Sequence, residues 1–396
     1  MNFVIFSYHF LPLADAESFC TTRFASSLAN AGHNVKVVTM DWPASVDAKV
    51  YDFLVDKRIE IVRVPLKKLN GAPVWTRMRY LTHEWNAVNI GSCIAALKDV
   101  LKHTNDPVLI SRAFPVASLI VAWHCRAYAK KWIAHLSDPM PWFVSTRAKS
   151  FLETIWARRA IRDASAISLT CNRAKRFFSD RYGHLFDKTN VVVVRHIGDP
   201  SLTDLVHNVD DANKANQVKS IVHSGLLYPG RGARQIISAV KILNENGLSC
   251  RFIQVGEIDA PIKAEVEGSQ FVDVVNDKDP TVSAMAQQNA DVIFVPDLVI
   301  SHLPYSPFCA SKFAYQVFGD KPIVAFSRQD SLMGECAQRF PDAGLFFADV
   351  DRSDSLQEAV GAAVRSVGRH FDRSGLRKLF SRDSIAAEFS NFVEGL

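Results

Sequence analysis

The sequence predicts an α/β protein with two Rossmann-like domains, each built on a parallel sheet. The chain has 396 residues, which exceeds the roughly 250–300 at which one hydrophobic core stops growing. Short β-branched runs alternate with helical segments along most of the chain, as in parallel sheets. Because this alternation starts again after a polar stretch near residue 200, we expect two domains of one design.

The first domain begins with a βαβ unit. Residues 3–6 form an apolar strand, Phe19, Phe24 and Leu28 have helical spacing before Gly32, and residues 35–39 form a β-branched strand. The same reasoning predicts further strands at 58–64, 107–111, 132–136, 166–170 and 191–194, and helices at 115–130, 149–163 and 172–182. We therefore expect a sheet with helices between its strands.

The second domain repeats this beginning after a polar linker at 199–217. Its first two strands start 31 residues apart, from Ile221 to Phe252, against 32 residues from Phe3 to Val35 in the first domain. Further strands are predicted at 271–275, 291–296 and 322–326, and helices at 233–246, 280–289, 311–318 and 353–367, with a helical pattern after 372. The two domains should share one plan.

Composition excludes several classes of protein. Hydrophobic residues make up 48% and charged residues 22% of the chain, as in ordinary globular proteins. The seven cysteines are widely spaced, without a CxxC pair or a metal-ligand cluster, which indicates buried thiols in a reducing compartment. No apolar run reaches the roughly 20 residues of a membrane span, and the N-terminus lacks signal-peptide features. We expect a cytoplasmic protein without a metal site.

Charge is distributed unequally. Residues 1–200 hold 27 Lys and Arg against 16 Asp and Glu, whereas residues 201–396 hold 19 against 25. Basic and aromatic side chains cluster in the first half, at Lys67, Lys68, Trp75–Tyr80, Trp156, Arg158, Arg159 and Arg162. Such clusters suit peripheral docking on the anionic inner face of a membrane, and a solvated surface without a partner is an equally good interpretation. No recognition motif points to nucleic acid.

Three segments carry a resemblance to a known family. They are the run Phe3–Pro12 followed by Ala31–Thr39, the glycine loop Ser224–Gly232, and Ala290–Pro296 followed by Ser311–Ala325. They resemble, in that order, the YxPP loop with its GHxVxVxT strand, the GRLxxxKG loop, and the ADVxxxPS and PSKxxEYxxxGKPVVA segments of glycosyltransferase family 4, a retaining group with the GT-B fold. The resemblance extends over nearly the whole chain.

This resemblance implies both architecture and activity. It implies two Rossmann-like domains facing each other across a cleft, an acceptor-side domain at 1–205, a nucleotide-sugar donor domain at 206–380, and a helix at 381–396 that returns to the first domain. It also implies transfer of a sugar, with retention, from a nucleoside-diphosphate sugar to a saccharide or lipid-linked acceptor, in the synthesis of cell-envelope polysaccharide or glycoconjugates. Neither a metal nor a further cofactor is implied.

Donor binding requires positive charge for the leaving diphosphate, and cations with a glycine loop before a helix supply it. The resemblance places Arg231 and Lys312 at the family's two phosphate-binding lysines, and Gly225 where the backbone approaches the phosphates. The other donor-side candidates are Gly256, Glu257, Ser311 and Tyr315. A surface cation in a turn and a helix cap are the alternative interpretations of Arg231 and Lys312.

Acceptor-side candidates come from the first domain. Asp138 follows a predicted strand, at the edge where open α/β sheets bind ligands, and related enzymes often have a His or an Asp here, so Asp138 and the nearby His135 are the catalytic candidates. An aspartate that only forms the turn before Pro139 is as good an interpretation. Asp15 lies in the first strand-to-helix loop as a substrate-binding candidate or a helix cap.

Two departures from the family pattern favour another possibility. Leu226 replaces an arginine of the family loop, and Pro307 and Tyr315 replace a pair of glutamates, the second of which binds ribose in the family. A catalytically degenerate binding or scaffold protein with the same fold is therefore an alternative. A nucleotide-sugar epimerase is a third possibility. The sequence gives it little support, because it has no recognisable carboxylates at the positions that such an enzyme uses for proton transfer.

Overall fold

The computed structural model describes residues 1–66, 89–143, 145–206 and 218–396. Contacts divide the chain into unit 1, Met1–Ile197 with Arg382–Leu396, and unit 2, Gly198–Ser381. The division falls before the predicted linker at 199–217, of which residues 207–217 lie outside the described part. Lys67, Lys68 and Trp75–Tyr80 of the predicted basic clusters also lie outside it.

Unit 1 contains, among its described residues, a parallel sheet of seven strands in the order β3-β2-β1-β4-β5-β6-β7. The strands are β1 Asn2–Phe6, β2 Asn34–Met40, β3 Glu60–Val64, β4 Pro107–Arg112, β5 Lys131–Leu136, β6 Ala166–Leu169 and β7 Val191–Val193. The helices are α1 Ala16–Asn30, α2 Ala48–Leu54, α3 Ile90–Lys102, α4 Ala117–Cys125, α5 Arg147–Asp163, α6 Asn172–Tyr182 and α7 His184–Asp187. Strands β2 and β3 are added on one side of β1 and strands β4 to β7 on the other, so the strand order reverses between β1 and β4.

Unit 2 contains, among its described residues, a parallel sheet of six strands in the order β10-β9-β8-β11-β12-β13. The strands are β8 Lys219–Ser224, β9 Cys250–Val255, β10 Val272–Val275, β11 Val292–Pro296, β12 Ile323–Ser327 and β13 Leu345–Asp349. The helices are α8 Ala233–Glu245, α9 Ala260–Glu267, α10 Pro280–Asn289, α11 Ser311–Gln316, α12 Leu332–Arg339, α13 Ser355–Arg365 and α14 Ser374–Phe380.

The two sheets share one plan, as the sequence predicts. The order of the first six strands, counted within each unit, is 3-2-1-4-5-6, which is that of a Rossmann fold. The predicted spacing corresponds to the observed register, since Phe3 pairs with Val35 and Ile221 with Phe252. Strands buried on both faces are continuously apolar, which explains why they could be recognised from composition.

Several helices differ from their predicted extents. The helix predicted at 115–130 ends as an α-helix at Cys125, and the one predicted at 311–318 ends at Gln316. The helical pattern after residue 372 is two helices, α14 and Arg382–Gly395, which we name α15. Strand β13 and helices α2, α3, α7, α9 and α12 were not predicted.

The C-terminal helix α15 belongs to unit 1, so the predicted return to the first domain is confirmed. The Phe389 ring lies 5.9 Å from that of Phe3 and 5.2 Å from that of Phe24. The Ser390 hydroxyl also hydrogen-bonds His33 Nε2 at 2.8 Å. These contacts cover β1 and α1 with an apolar layer.

Two arginines before and within α14 hold the end of α11. Arg373 is 2% exposed and donates to the carbonyl oxygens of Gly319 at 2.8 Å and Ala343 at 2.7 Å. Arg377 donates to the carbonyl oxygens of Val317 and Phe318. Burial lowers the pKa of Arg373 to about 10, with the charge of Arg377 as a second cause. Carbonyls left unpaired after a helix are thereby satisfied.

Candidate functional site

The loop between β8 and α8 brings a glycine against a lysine. Gly225 has φ of +107°, a conformation that side chains other than glycine rarely adopt. A Cβ at this position would collide with Lys312 Nζ, at the start of α11. The sequence predicted that Gly225 admits a phosphate group. In the structure, Gly225 admits the lysine that was predicted to bind that phosphate.

Lys312 and Arg231 form a pair of neighbouring cations. Burial lowers the pKa of Lys312 to about 7, and the positive charge of Arg231 contributes to this shift. The Arg231 guanidinium lies 4.4 Å from the centroid of the Tyr228 ring, and its buried Nε has no hydrogen-bond partner in the described part of the chain. Neither cation forms an ion pair with a described carboxylate, so the arrangement suits an incoming anion.

A buried carboxylate lies near this pair. Asp297 is 4% exposed, directly after β11, and accepts hydrogen bonds from the hydroxyls of Ser306 at 2.5 Å and Ser327 at 3.0 Å. Burial raises its pKa, which the two hydroxyls and the charge of Arg231 oppose. Its lone pairs are occupied mainly by the serines and the amide of Leu298 at 3.0 Å. Asp297 therefore balances Arg231 only in part.

A buried histidine, which the sequence did not predict, supports the glycine loop. His223 Nδ1 lies 2.7 Å from Gln254 Oε1, whose amide nitrogen donates to the Gly225 carbonyl at 2.6 Å. Because Gln254 Oε1 is an acceptor, Nδ1 carries the proton. Burial, with the charges of Lys312 and Arg231, holds the pKa of His223 well below its usual range. A neutral ring thus fixes the Gly225 peptide group.

The remaining donor-side candidates lie around this centre with different exposures. Gly256 has φ of +108°, and a Cβ there would lie 3.1 Å from the Gly225 carbonyl group, so two glycines let the loops after β8 and β9 pack closely. Glu257 pairs with Lys278 at 2.6 Å on the surface. A pocket beside these loops is lined by Leu226, Gly256, Glu257, Ile258, Asp259, Lys263, Glu267, Val274 and Asn276.

Ser311 and Tyr315 lie with Lys312 on the short helix α11. Ser311 is its first residue, and Ser311 and Tyr315 are both half-buried. Tyr315 follows Lys312 by three positions, a spacing that places two side chains on the same side of a helix. Leu226, which replaces the family arginine, is 45% exposed beside the pocket. The structure thus brings Gly225, Gly256, Arg231, Ser311 and Lys312 into one region of unit 2.

In unit 1, Asp15 is the N-cap of α1. Its carboxylate accepts from the Ser18 amide at 2.7 Å and from His9 Nδ1 at 2.5 Å. Burial raises the pKa of Asp15, but the hydrogen bond and charge of His9, with the bond from Ser18, hold it below its usual range. The alternative interpretation of Asp15 as a helix cap describes its contacts, and the sequence missed its partner His9.

A second charged pair lies at the same end of the unit 1 sheet. Arg112, the last residue of β4, donates through Nε to Glu17 of α1 at 2.8 Å, and the Ser137 hydroxyl donates to the same carboxylate oxygen at 3.3 Å. The Arg112 side chain is 3% exposed and that of Glu17 10%. The pair joins α1, β4 and the end of β5 next to the position where the strand order reverses.

The catalytic candidates differ in accessibility. His135 is 2% exposed within β5, with Nδ1 2.8 Å from the Ser168 hydroxyl and its ring stacked on Phe24. Burial and the charge of Arg112 hold its pKa well below the usual range. The ring is enclosed by these neighbours, and its buried Nε2 has no hydrogen-bond partner among the described residues.

Asp138 is half-buried just beyond β5. It lines a small pocket with Ala113, Phe114, Pro115, Val116, Pro139, Met140, Trp142 and Glu153. Aromatic rings flank this pocket, since Phe114 lies 6.5 Å from Trp142 and 5.7 Å from His9. Asp138 is thus the more accessible of the two catalytic candidates.

The described residues contain no group of three or more His, Cys, Asp or Glu side chains that could hold a metal ion. Two Asp-x-Asp spacings occur, and each serves local structure. Asp277 accepts from the amide of Asp279, which caps α10, while Asp349 accepts from the amide of Asp351, which pairs with Arg328. Such carboxylates at strand ends and helix starts are ordinary caps.

Solved structures with the same architecture extend over nearly the whole chain. HepE from Anabaena, in complex with UDP and glucose, has a TM-score of 0.66 at 12% identity, covering 100% of both chains. The catalytic domain of starch synthase IV from Arabidopsis thaliana, bound to ADP and acarbose, has a TM-score of 0.65 at 10% identity, and the match covers 100% of this chain and 99% of that one. A variant of S. aureus TarM in complex with UDP has a TM-score of 0.65 at 10% identity, and the match covers 99% of each chain.

The fold is GT-B. These identities are low, so the likeness establishes architecture rather than a reaction. No family model and no curated protein matches the sequence. None of the helices in the described ranges is both long and apolar enough to cross a membrane. The activity therefore has to be argued from the site in unit 2.

Proposed function

We propose that the protein is a glycosyltransferase that moves a sugar from a nucleoside-diphosphate sugar to a saccharide or lipid-linked acceptor. The observation that carries this proposal is the cation pair Arg231 and Lys312 against Gly225, without a described carboxylate paired to either. A diphosphate leaving group gains negative charge as the sugar departs, and fixed cations in a water-poor site stabilise that charge. The expected role in cell-envelope polysaccharide or glycoconjugate synthesis follows from the resemblance.

Other features support a nucleotide in unit 2. Solved structures of the same fold contain UDP or ADP. The glycine loop precedes α8, whose first turn offers amide groups to an anion. Retention and transfer of a hexose are the finer expectations of the family resemblance, and the anomeric configuration of an isolated product would test the first of them.

Binding and transfer assays with one matched pair of variants test the proposal. We expect a panel of nucleoside diphosphates and their sugars to raise the melting temperature, with one base preferred. Lys312→Met should weaken that binding about ten- to a hundredfold, because hydrogen bonds to charged groups are worth more than neutral ones. Lys241→Met removes a lysine of α8 whose side chain is 61% exposed and should leave binding unchanged.

Absence of any thermal response to all nucleotides would refute the proposal. Metal independence is tested in the same assay, since transfer should persist in excess EDTA. Arg231 and Lys312 would then supply the charge that a divalent cation supplies elsewhere.

A catalytically inactive binding protein is a second candidate. Leu226, exposed where the family has an arginine, together with Pro307 and Tyr315, favours it. Nucleotide binding without hydrolysis or transfer to any acceptor would support this candidate, whereas turnover that disappears in Lys312→Met would exclude it. An epimerase would instead convert the donor without an acceptor.

We also propose that unit 1 works beside an anionic membrane surface, where a lipid-linked acceptor is found. Unit 1 has 28 Lys and Arg against 18 Asp and Glu, and unit 2 has 18 against 23. Attraction to anionic lipid of this kind falls as salt is added.

A further inference from the structure

The exposed residues of helix α5 are unusual in kind. They are Arg147, Ala148, Phe151, Arg158 and Arg162. Within this helix, all of whose residues are described, no acidic side chain is exposed, because Glu153 is buried and Asp163 is half-buried. Phe151 is 66% exposed, more than any other large hydrophobic side chain in the described part of the chain.

These side chains lie on one side of the helix. At 3.6 residues per turn, Arg147, Phe151, Arg158 and Arg162 fall within about 60° of one another. We call this group the α5 face. An aromatic ring between arginines is the composition of interfacial helices, in which the ring enters the lipid headgroup region and the guanidinium groups contact phosphates.

The structure separates arginines that the sequence grouped together. Arg159 lies 4.5 Å from the centroid of the Trp156 ring and 5.2 Å from that of Trp123, so it stacks between indoles and points away from the α5 face. Arg159 therefore does not belong to the α5 face, although the sequence groups it with Arg158 and Arg162. Neighbouring aromatic rings attract a guanidinium group strongly enough to hold it there.

The remaining arginines differ in their charge partners. Arg162 donates to Asp163 through Nε at 2.6 Å and Nη2 at 2.9 Å, so its charge is largely compensated. Arg147 and Arg158 form no ion pair with a carboxylate in the described ranges. Phe151 and these two cations are exposed, so burial within the fold does not account for their presence on this side of the helix.

We propose that the α5 face is a docking surface for an anionic lipid bilayer, with Phe151 inserted among the headgroups and Arg147 and Arg158 on lipid phosphates. This docking surface deepens the proposed function and rests on it, because a membrane surface is where a transferase would meet a lipid-linked acceptor. Lipid docking itself is measurable without turnover. Unit 1 carries the excess of positive charge that an anionic surface attracts over a distance.

Co-sedimentation with vesicles tests this docking surface. We expect the full chain to bind vesicles of equal parts phosphatidylglycerol and phosphatidylcholine and not vesicles of phosphatidylcholine alone. Replacing both Arg147→Gln and Arg158→Gln should lower the binding constant about thirtyfold, because each basic residue near an anionic surface contributes about a factor of five. Phe151→Ser should lower it about tenfold even in high salt, since its contribution is apolar.

Matched variants in unit 2 control for net charge and apolar exposure. Lys241→Gln with Lys263→Gln removes two positive charges from side chains that are 61% and 54% exposed. Met285→Ser replaces an apolar side chain that is 46% exposed. Both should bind vesicles as the unchanged protein does. Equal losses in the α5 and the control variants, or equal binding to both kinds of vesicle, would overturn the proposal.

Two further outcomes are distinguishable. Binding of duplex RNA or DNA with the same dependence on Arg147 and Arg158, in the absence of vesicle binding, would overturn docking on lipid. If vesicle binding follows the expected pattern while no nucleotide changes the melting temperature, docking stands and the transferase proposal fails. Unchanged melting temperatures of the variants show that each is folded, as expected for residues with few contacts.

Discussion

The two sheets have one strand order but opposite arrangements of charge where their strands end. At this edge of unit 1, Asp15 lies against His9 and Glu17 pairs with Arg112. In unit 2, Arg231 and Lys312 have no such partner among the described residues. A paired edge holds helices in place, while an edge with excess charge is costly until an anion arrives. The architecture thus repeats, but the strand ends of unit 2 carry a cation pair that has no described carboxylate partner.

The largest expected effect comes from closing the space that Lys312 occupies. Gly225→Ala should reduce nucleotide affinity by at least about a hundredfold, because the new methyl group displaces Nζ and a small misplacement of a binding group is costly. Isothermal titration with the preferred nucleoside diphosphate measures it.

Gly247→Ala is the matched control for that glycine. Gly247 has φ of +81°, and a Cβ there meets nothing within 4 Å. The control should lose about 1–2 kcal/mol of stability from its backbone conformation alone, and keep its affinity. Equal losses of affinity in both variants would show that backbone strain, and not the lysine, determines binding.

The next effect is a dependence of binding on pH. With the pKa of Lys312 lowered to about 7, the free protein loses this positive charge as pH rises through 7, so nucleotide affinity should fall from pH 6 to pH 9. Lys312→Met should bind more weakly and lose most of this slope. Its stability should rise most at or below pH 7, because burial and the charge of Arg231 both disfavour the charged wild-type lysine, and this gain should shrink as pH rises toward about 10. A slope that persists in the variant would assign the titration to another group.

In unit 1, removal of a paired charge should affect stability and not nucleotide binding. Asp15→Ala should lower the free energy of unfolding by about 1–2 kcal/mol at neutral pH through loss of the cap. Because the folded pKa of Asp15 is lowered, its contribution is present above pH about 4 and is lost as pH falls through the folded value. Urea denaturation at neutral pH and at a pH below about 4 should show that the difference in stability between Asp15→Ala and the unchanged protein shrinks in acid.

Asp15→Asn separates the cap from the pair with His9. Asparagine caps a helix as well as aspartate does, so the loss should be smaller and nearly independent of pH. A loss as large as that in Asp15→Ala would mean that the His9 contact, rather than the cap, dominates.

The smallest effect is expected at Glu257. Its pair with Lys278 joins side chains that are 52% and 74% exposed, and such pairs contribute less than about 0.5–1 kcal/mol. Glu257→Gln should therefore leave stability nearly unchanged. A large loss of nucleotide affinity would instead show that Glu257 contacts the ligand, as the sequence analysis expected.

Much of the architecture is visible in the sequence because it depends on local patterns. Apolar strands at a fixed spacing predicted the pairing of Phe3 with Val35 and of Ile221 with Phe252. The resemblance brought Arg231 and Lys312 together although 81 positions separate them. Helix ends were less predictable, since the carbonyls at and after Gln316, where α11 ends, are bound by Arg373 and Arg377 far along the chain.

The supporting residues of the sites could not be predicted for the same reason. His223 and Gln254 are polar residues within apolar strands, and only the alignment of β8 with β9 makes them partners. Asp297 resembles a turn residue in sequence, yet its carboxylate is buried and accepts hydrogen bonds from Ser306 and Ser327. The environment of Arg159 depends on Trp123, which belongs to another helix. In each case the decisive contact is long-range.

The last residues of the chain close both units. Arg373 and Arg377 satisfy the carbonyls at the end of α11, the helix that carries Lys312, and α15 covers β1 and α1 at the other end of the sequence. During synthesis, therefore, residues 373–395 complete both units, although most of unit 1 is made first. A chain cut before Arg373 would lack these contacts in both units.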